Sequence, residues 1–125
     1  MTARDDVAAF NAAFSAAMAA QDVDAVVASY TEGAKLLFEG SPMIEGRTAI
    51  EAYLGPGLRK RPMTIAFESI DVFDGGSFVV DVGRLTGPTG TGKYIVVHER
   101  QPDGSLKMAV DSATGNGPDA SEEVA

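Results

Sequence analysis

The sequence predicts an α+β domain whose helices come first, and three observations carry that prediction. Apolar residues in the first third recur at helical spacing. From Met63 onward the period shortens to that of strands. The strands are joined by turns rather than by helices, so they read as an antiparallel meander.

The first helix rests on Val7, Phe10, Phe14, Ala17 and Met18, which form one apolar stripe. The alanines between them favour the helix because they lose no side-chain entropy on ordering. The stripe stops at Gln21. Asp22 reads as the N-cap of a second, shorter helix with Asp24 in its first turn, Val23, Val26, Val27 and Tyr30 on its inner face, and Gly33 at its end. Residues 35–39 form a short strand, and Gly40-Ser41-Pro42 a turn. A third helix opens over residues 45–51, where Thr48 and Glu51 have the spacing of a capping box. Ile50, Tyr53 and Leu54 are its apolar side, and Gly55-Pro56-Gly57 weakens or stops it. Strands follow over residues 64–73, 78–86, 93–101 and 106–114, with Pro102-Asp103-Gly104-Ser105 as the last hairpin turn.

The chain has 125 residues, 45% hydrophobic and 22% charged, enough for one domain with its own core. Residues 1–116 read as that domain, and residues 117–125 as a flexible acidic tail. The absence of cysteine excludes disulfides, thiolate metal sites and cysteine nucleophiles. A net charge of −8 argues against nucleic acid and anionic membrane as partners, since both need a basic face. Arg59-Lys60-Arg61 reads as a solvated connector. The acidic start lacks an apolar signal-peptide core and no run is long enough to span a membrane, so the expected location is cytoplasmic. One histidine and scattered carboxylates do not make a metal site. The glycine-rich stretch from Gly87 to Gly92 leads into no helix and lacks the phosphate-binding patterns.

Four landmarks occur in order: the amphipathic first helix, Gln21-Asp22-Val23-Asp24, Gly46-Arg47-Thr48-Ala49-Ile50, and Gly92-Lys93-Tyr94-Ile95-Val96-Val97 followed by Leu106 to Asp111. In this the chain resembles the nuclear transport factor 2-like superfamily, and within it the SnoaL-like and ketosteroid isomerase-like small bacterial proteins. The resemblance runs from about Val7 to Asn116. It implies a cystatin-like cone: three N-terminal helices on a strongly curved antiparallel sheet, open at one end to a pocket. It also implies a homodimer formed through the outer sheet face. Relatives include isomerases, polyketide cyclases, dehydratases, epoxide hydrolases and non-catalytic members, so the fold alone does not give the reaction. The tyrosine, base and acid of ketosteroid isomerases fall at Phe14, Phe38 and Val96 in this chain, all apolar, which argues against steroid isomerisation by that mechanism.

His98 is the only histidine. Its strand carries Tyr94, Val96 and His98 on one face, which the resemblance turns toward the pocket. If Gln101 pairs with Leu106, His98 lies opposite Ala109 with Asp111 one diagonal step away. The two then form a general base with its orienting carboxylate, or a buried histidine and a structural carboxylate without chemistry. Asp81 either joins them from the neighbouring strand or faces solvent. Tyr30, Tyr53 and Tyr94 offer hydroxyls at the pocket mouth or fill the core. Phe14, Met18, Phe38, Met43, Ile44 and Phe67 are the expected apolar lining, with Val96 as a further ligand contact. The leading reading is cofactor-free proton transfer on a small hydrophobic or polyketide-like molecule: isomerisation, aldol-type cyclisation or dehydration. His98, Asp111 and Asp81 are its catalytic candidates. The alternative is a non-catalytic binding or dimeric association module of the same fold.

Overall fold

The structure, a computed structural model, describes residues 2–117. Residues 118–125 of the expected tail lie outside the described residues. Three helices, α1 (Ala3–Ala19), α2 (Val23–Ala28) and α3 (Arg47–Lys60), accompany six strands. These are β1 (Tyr30–Phe38), β2 (Ile44–Glu45), β3 (Ala66–Asp74), β4 (Phe78–Gly87), β5 (Gly90–Arg100) and β6 (Leu106–Gly115).

Helix α1 begins with a capping box in which Thr2 and Asp5 satisfy each other's backbone N–H. It ends where its apolar stripe ends. Gln21 adopts a left-handed φ of 59°, and its side-chain amide donates to the Leu58 carbonyl at 2.9 Å, tying the α1–α2 corner to α3. At the other end of α1, Arg100 on β5 holds Asp6 at 3.0 Å in a half-buried ion pair. Helix α1 is thus fixed across the sheet at both ends, with Phe10, Phe14 and Met18 facing it.

Two local expectations change. Tyr30 starts β1 rather than ending α2, and Gly33 lies within the strand. The third helix is capped by Gly46 at φ 87°, which leaves Thr48 inside the helix and the proposed capping box unformed. The helix also runs through Pro56, because Leu58 beyond it is anchored in the core at 2% exposure. Arg59 and Lys60 lie in its last turn, where the helix dipole favours cations.

The strand order is β2-β1-β6-β5-β4-β3. Strands β3 to β6 form the expected antiparallel meander. Strand β1, however, pairs with β6 in parallel. The sheet is therefore mixed, and it is open, with β2 and β3 at its two edges. This corrects the expectation of an antiparallel sheet closed into a strongly curved cone. The reason is topological: a parallel pair needs a long crossover, here everything from β2 through β5, and no local turn signal reports it.

Candidate active site

Strand β5 supplies the centre of the site. Its inner face presents Tyr94, Val96 and His98, as strand alternation requires. Val96 is the registered partner of Asp81 on β4 and of Asp111 on β6, so the two carboxylates flank it in one row across three strands. At the usual strand spacing their Cα atoms are about 10 Å apart.

The inward position of Asp111 depends on a bulge. His98 pairs with Met108, but Val97 pairs with Val110, which leaves Ala109 as an extra residue. Met108 faces inward. Strict alternation from it would send Asp111 to the outer face, and the extra residue restores the inward direction. The expected pairing of His98 with Ala109 is thereby corrected, because the β5–β6 turn sets Arg100, not Gln101, against Leu106.

Each carboxylate has a tyrosine. The Tyr30 hydroxyl donates to Asp111 Oδ2 at 2.7 Å, and the Tyr94 hydroxyl donates to Asp81 Oδ2 at 2.9 Å. Asn11 on α1 adds a longer bond to the same Asp81 oxygen, at 3.4 Å. Burial raises the Asp111 carboxyl to about 6, against the lowering effect of the Tyr30 bond. Burial, reinforced by Asp111, holds the Tyr30 hydroxyl protonated well above its ordinary range. Tyr94 is raised to about 12, chiefly by burial, with Ser69 opposing and Asp81 reinforcing the shift.

His98 stands between the two pairs and bonds to neither. It is fully buried, and neither Nδ1 nor Nε2 has a hydrogen-bond partner. The ring of Phe10 packs edge-on against it, with centroids 4.6 Å apart. Burial pushes its pKa down to about 4, and the negative charge of Asp81 only partly opposes this. The imidazole is therefore neutral at pH 7. No hydrogen bond joins His98 to Asp111, whose Oδ2 accepts from Tyr30. Asp81 faces inward and is fully buried, with its Oδ1 likewise unpartnered.

These groups surround a cavity of about 300 Å³ between α1, α3 and the inner sheet face. Phe14, Met18 and Phe67 border it, as do Phe38, Tyr53 and Val96. Its polar lining residues are Asn11, Tyr30, Tyr53, Tyr94, His98 and Asp111. Met43 and Ile44 do not border it: Met43 is 53% exposed just before β2, and Ile44 lies on that edge strand. Asp81 also lies outside the lining, behind Tyr94. Asn11, Met63, Ile65 and Met108 border the cavity without having been singled out from the sequence. Asn11 was findable, since it lies three residues before Phe14 and so shares its helix face. Among the described residues no cluster of three or more His, Asp or Glu side chains could hold a metal ion.

Residues 8–106 match the family model of the SnoaL-like domain. No functionally curated protein matches the chain in sequence. Several solved structures share the fold. A nuclear transport factor 2-like protein of unknown function from Shewanella oneidensis is 18% identical, with a TM-score of 0.76 over 90% of this chain and 99% of that one. A ketosteroid isomerase-like protein from Erwinia carotovora is 20% identical, with a TM-score of 0.68 over 88% and 93%. A putative calcium/calmodulin-dependent protein kinase type II association domain from Thiobacillus denitrificans is 17% identical, with a TM-score of 0.72 over 86% and 92%. Likeness at this level establishes shared architecture and leaves the chemistry to the site.

Proposed function

The chain belongs to the SnoaL-like domain family, of the nuclear transport factor 2-like superfamily, and from that premise we propose that it binds a small hydrophobic molecule in the cavity and moves a proton on it without a cofactor. The observation that supports this reading is Asp111. It is a buried carboxyl on the cavity wall, held in place by Tyr30, with a pKa near 6. A group poised near neutrality can both take and return a proton. Asp111 then acts as acid/base, and the Tyr30 hydroxyl stabilises its ionised form and fixes its direction. His98, neutral and closed in by Phe10, serves as a polar wall. Abstraction of a proton next to a carbonyl is the step common to isomerisation, aldol-type cyclisation and dehydration.

Hydrogen–deuterium exchange tests the reading. Cyclic ketones incubated with the protein in D₂O should gain deuterium beside the carbonyl, and Asp111→Asn should slow that gain about 100-fold. Ketones that bind without exchanging would instead support the second reading, a binding module without catalysis. The sealed nitrogens of His98 favour that second reading.

We also propose that the outer sheet face joins two copies of the chain. Phe73, Val80, Val97 and Val110 form a registered apolar row across β3 to β6, and Ile95 beside it is 51% exposed. A contiguous apolar strip of this kind on a sheet is typical of a buried interface. Ile95→Glu should convert a dimer to a monomer in analytical ultracentrifugation while leaving the cavity intact. A parent protein that sediments as a monomer at all concentrations would remove the proposal.

A further inference from the structure

The cavity carries a negative charge with nothing to balance it. Its polar lining consists of Asn11, Tyr30, Tyr53, Tyr94, His98 and Asp111, with neither lysine nor arginine among the lining residues. Asp111 is 9% exposed and takes part in no ion pair among the described residues. Only burial and the Tyr30 bond act on its ionisation. A buried carboxylate without a cation is costly to keep. Asp81, the next inward carboxylate on the same row, has no cation partner either: tyrosine and asparagine hold it.

One further observation points to what would balance that charge: an unbroken chain of rings, Tyr30–Phe14–Phe67–Tyr94, with successive centroids 6.1, 6.2 and 5.7 Å apart. It runs from the partner of one carboxylate to the partner of the other. Aromatic faces attract cations, most strongly where water is excluded. An anionic ligand would meet a carboxylate and ring faces, all of the wrong sign. A neutral alcohol would satisfy one hydrogen bond and leave the charge uncompensated. An ammonium group satisfies the carboxylate and the rings together.

We propose that the ligand of this cavity is an apolar molecule carrying a basic nitrogen, whose ammonium group sits at Asp111 among the aromatic rings. The proposal rests on the reading of the cavity as a small-molecule site and names the chemical class it selects. It makes no claim about catalysis.

Three probes of one skeleton test it: 2-phenylethylamine, 2-phenylethanol and phenylacetate, each titrated into the full chain at pH 7.5 by calorimetry and NMR. The amine should bind about tenfold more tightly than the alcohol, the margin expected of a charge-assisted bond over a neutral one. Phenylacetate should bind more weakly than either. In Asp111→Asn the amine should lose its advantage over the alcohol, with amide spectra as dispersed as those of the parent showing that the variant is folded. If the alcohol or the acid binds as tightly as the amine, the charge selection is wrong and the small-molecule site stands. If none of the three perturbs the resonances of cavity residues, the small-molecule reading falls and takes this inference with it.

Discussion

Replacing Gly83 by alanine should lower the thermal midpoint by about 10 °C and release Tyr94 from Asp81. Gly83 lies on the inner face of β4, paired with Ser69 on β3 and Tyr94 on β5. A methyl group there would collide with the Glu68 carbonyl oxygen and with the Tyr94 ring and hydroxyl. Neither can give way cheaply. The carbonyl belongs to the backbone of a paired strand beside the irregularity at Ile70, and the ring is rigid and tethered through its hydroxyl. Overpacking of this kind costs roughly 3 kcal/mol. If the strand holds its place, the ring must swing into the cavity and leave Asp81 with Asn11 alone. Tyr94→Phe separates the two effects, since it loses the bond and keeps the packing. Denaturant melts of both variants, with the Tyr94 ring resonances as a local probe, check the prediction. A Gly83→Ala protein as stable as its parent would show that the Tyr94 ring does not lie over Gly83.

The stability of the parent should be nearly flat between pH 4 and 6, because two buried groups act in opposite directions. The Asp111 pKa rises from 3.8 in the unfolded chain to about 6. Its contribution is complete below pH 4 and is lost as pH climbs through 6. The His98 pKa falls from 6.5 to about 4. Its contribution is complete above pH 6.5 and is lost as pH drops through 4. Shifts of this size are each worth roughly 3 kcal/mol, so they nearly cancel over the shared window. Removing either group exposes the other. Asp111→Asn should gain stability steadily from pH 4 to 6.5 and exceed the parent by about 2 kcal/mol at pH 7, since a buried charge has gone and Tyr30 keeps an acceptor. His98→Gln should lose stability over pH 4 to 6. Urea midpoints measured at half-unit intervals decide the matter, provided the slope of the transition does not change between proteins. Coincident profiles for the parent and Asp111→Asn would mean that this carboxyl titrates normally. A variant that is more stable and also inactive would mark Asp111 as kept for its chemistry rather than for folding.

Much of this arrangement was readable from residue patterns alone. The stripe on α1, the strand positions and the shared face of Tyr94, Val96 and His98 follow from periodicity, which is a local property, whereas the inward direction of that face comes from the resemblance. Eight of the ten expected lining residues border the cavity, and Met43 and Ile44 fail because nothing local reveals that they sit at a sheet edge. What escaped was non-local. The parallel pairing of β1 with β6 joins segments far apart in the chain. The bulge at Ala109 carries no glycine or proline to announce it, yet it decides which way Asp111 points. The Tyr30–Asp111 and Tyr94–Asp81 bonds, formed where a His98–Asp111 bond was expected, each join residues of different strands and so carry no local signal. Glycine-capped α3 shows the converse, a plausible sequence signal overridden by backbone geometry.

The place of β6 bears on how the molecule is made. Strand β6 is the last element among the described residues but lies between β1 and β5. During synthesis, the amino-terminal helices and β1 emerge early and must wait for almost the entire chain before their partner arrives. Contacts of such long sequence separation slow folding, and the interim leaves the edge of β1 and the apolar stripe of α1 uncovered. Nascent chains arrested before Gly115 should be digested by protease throughout, and release of that final strand should confer protection on both ends of the molecule in one step.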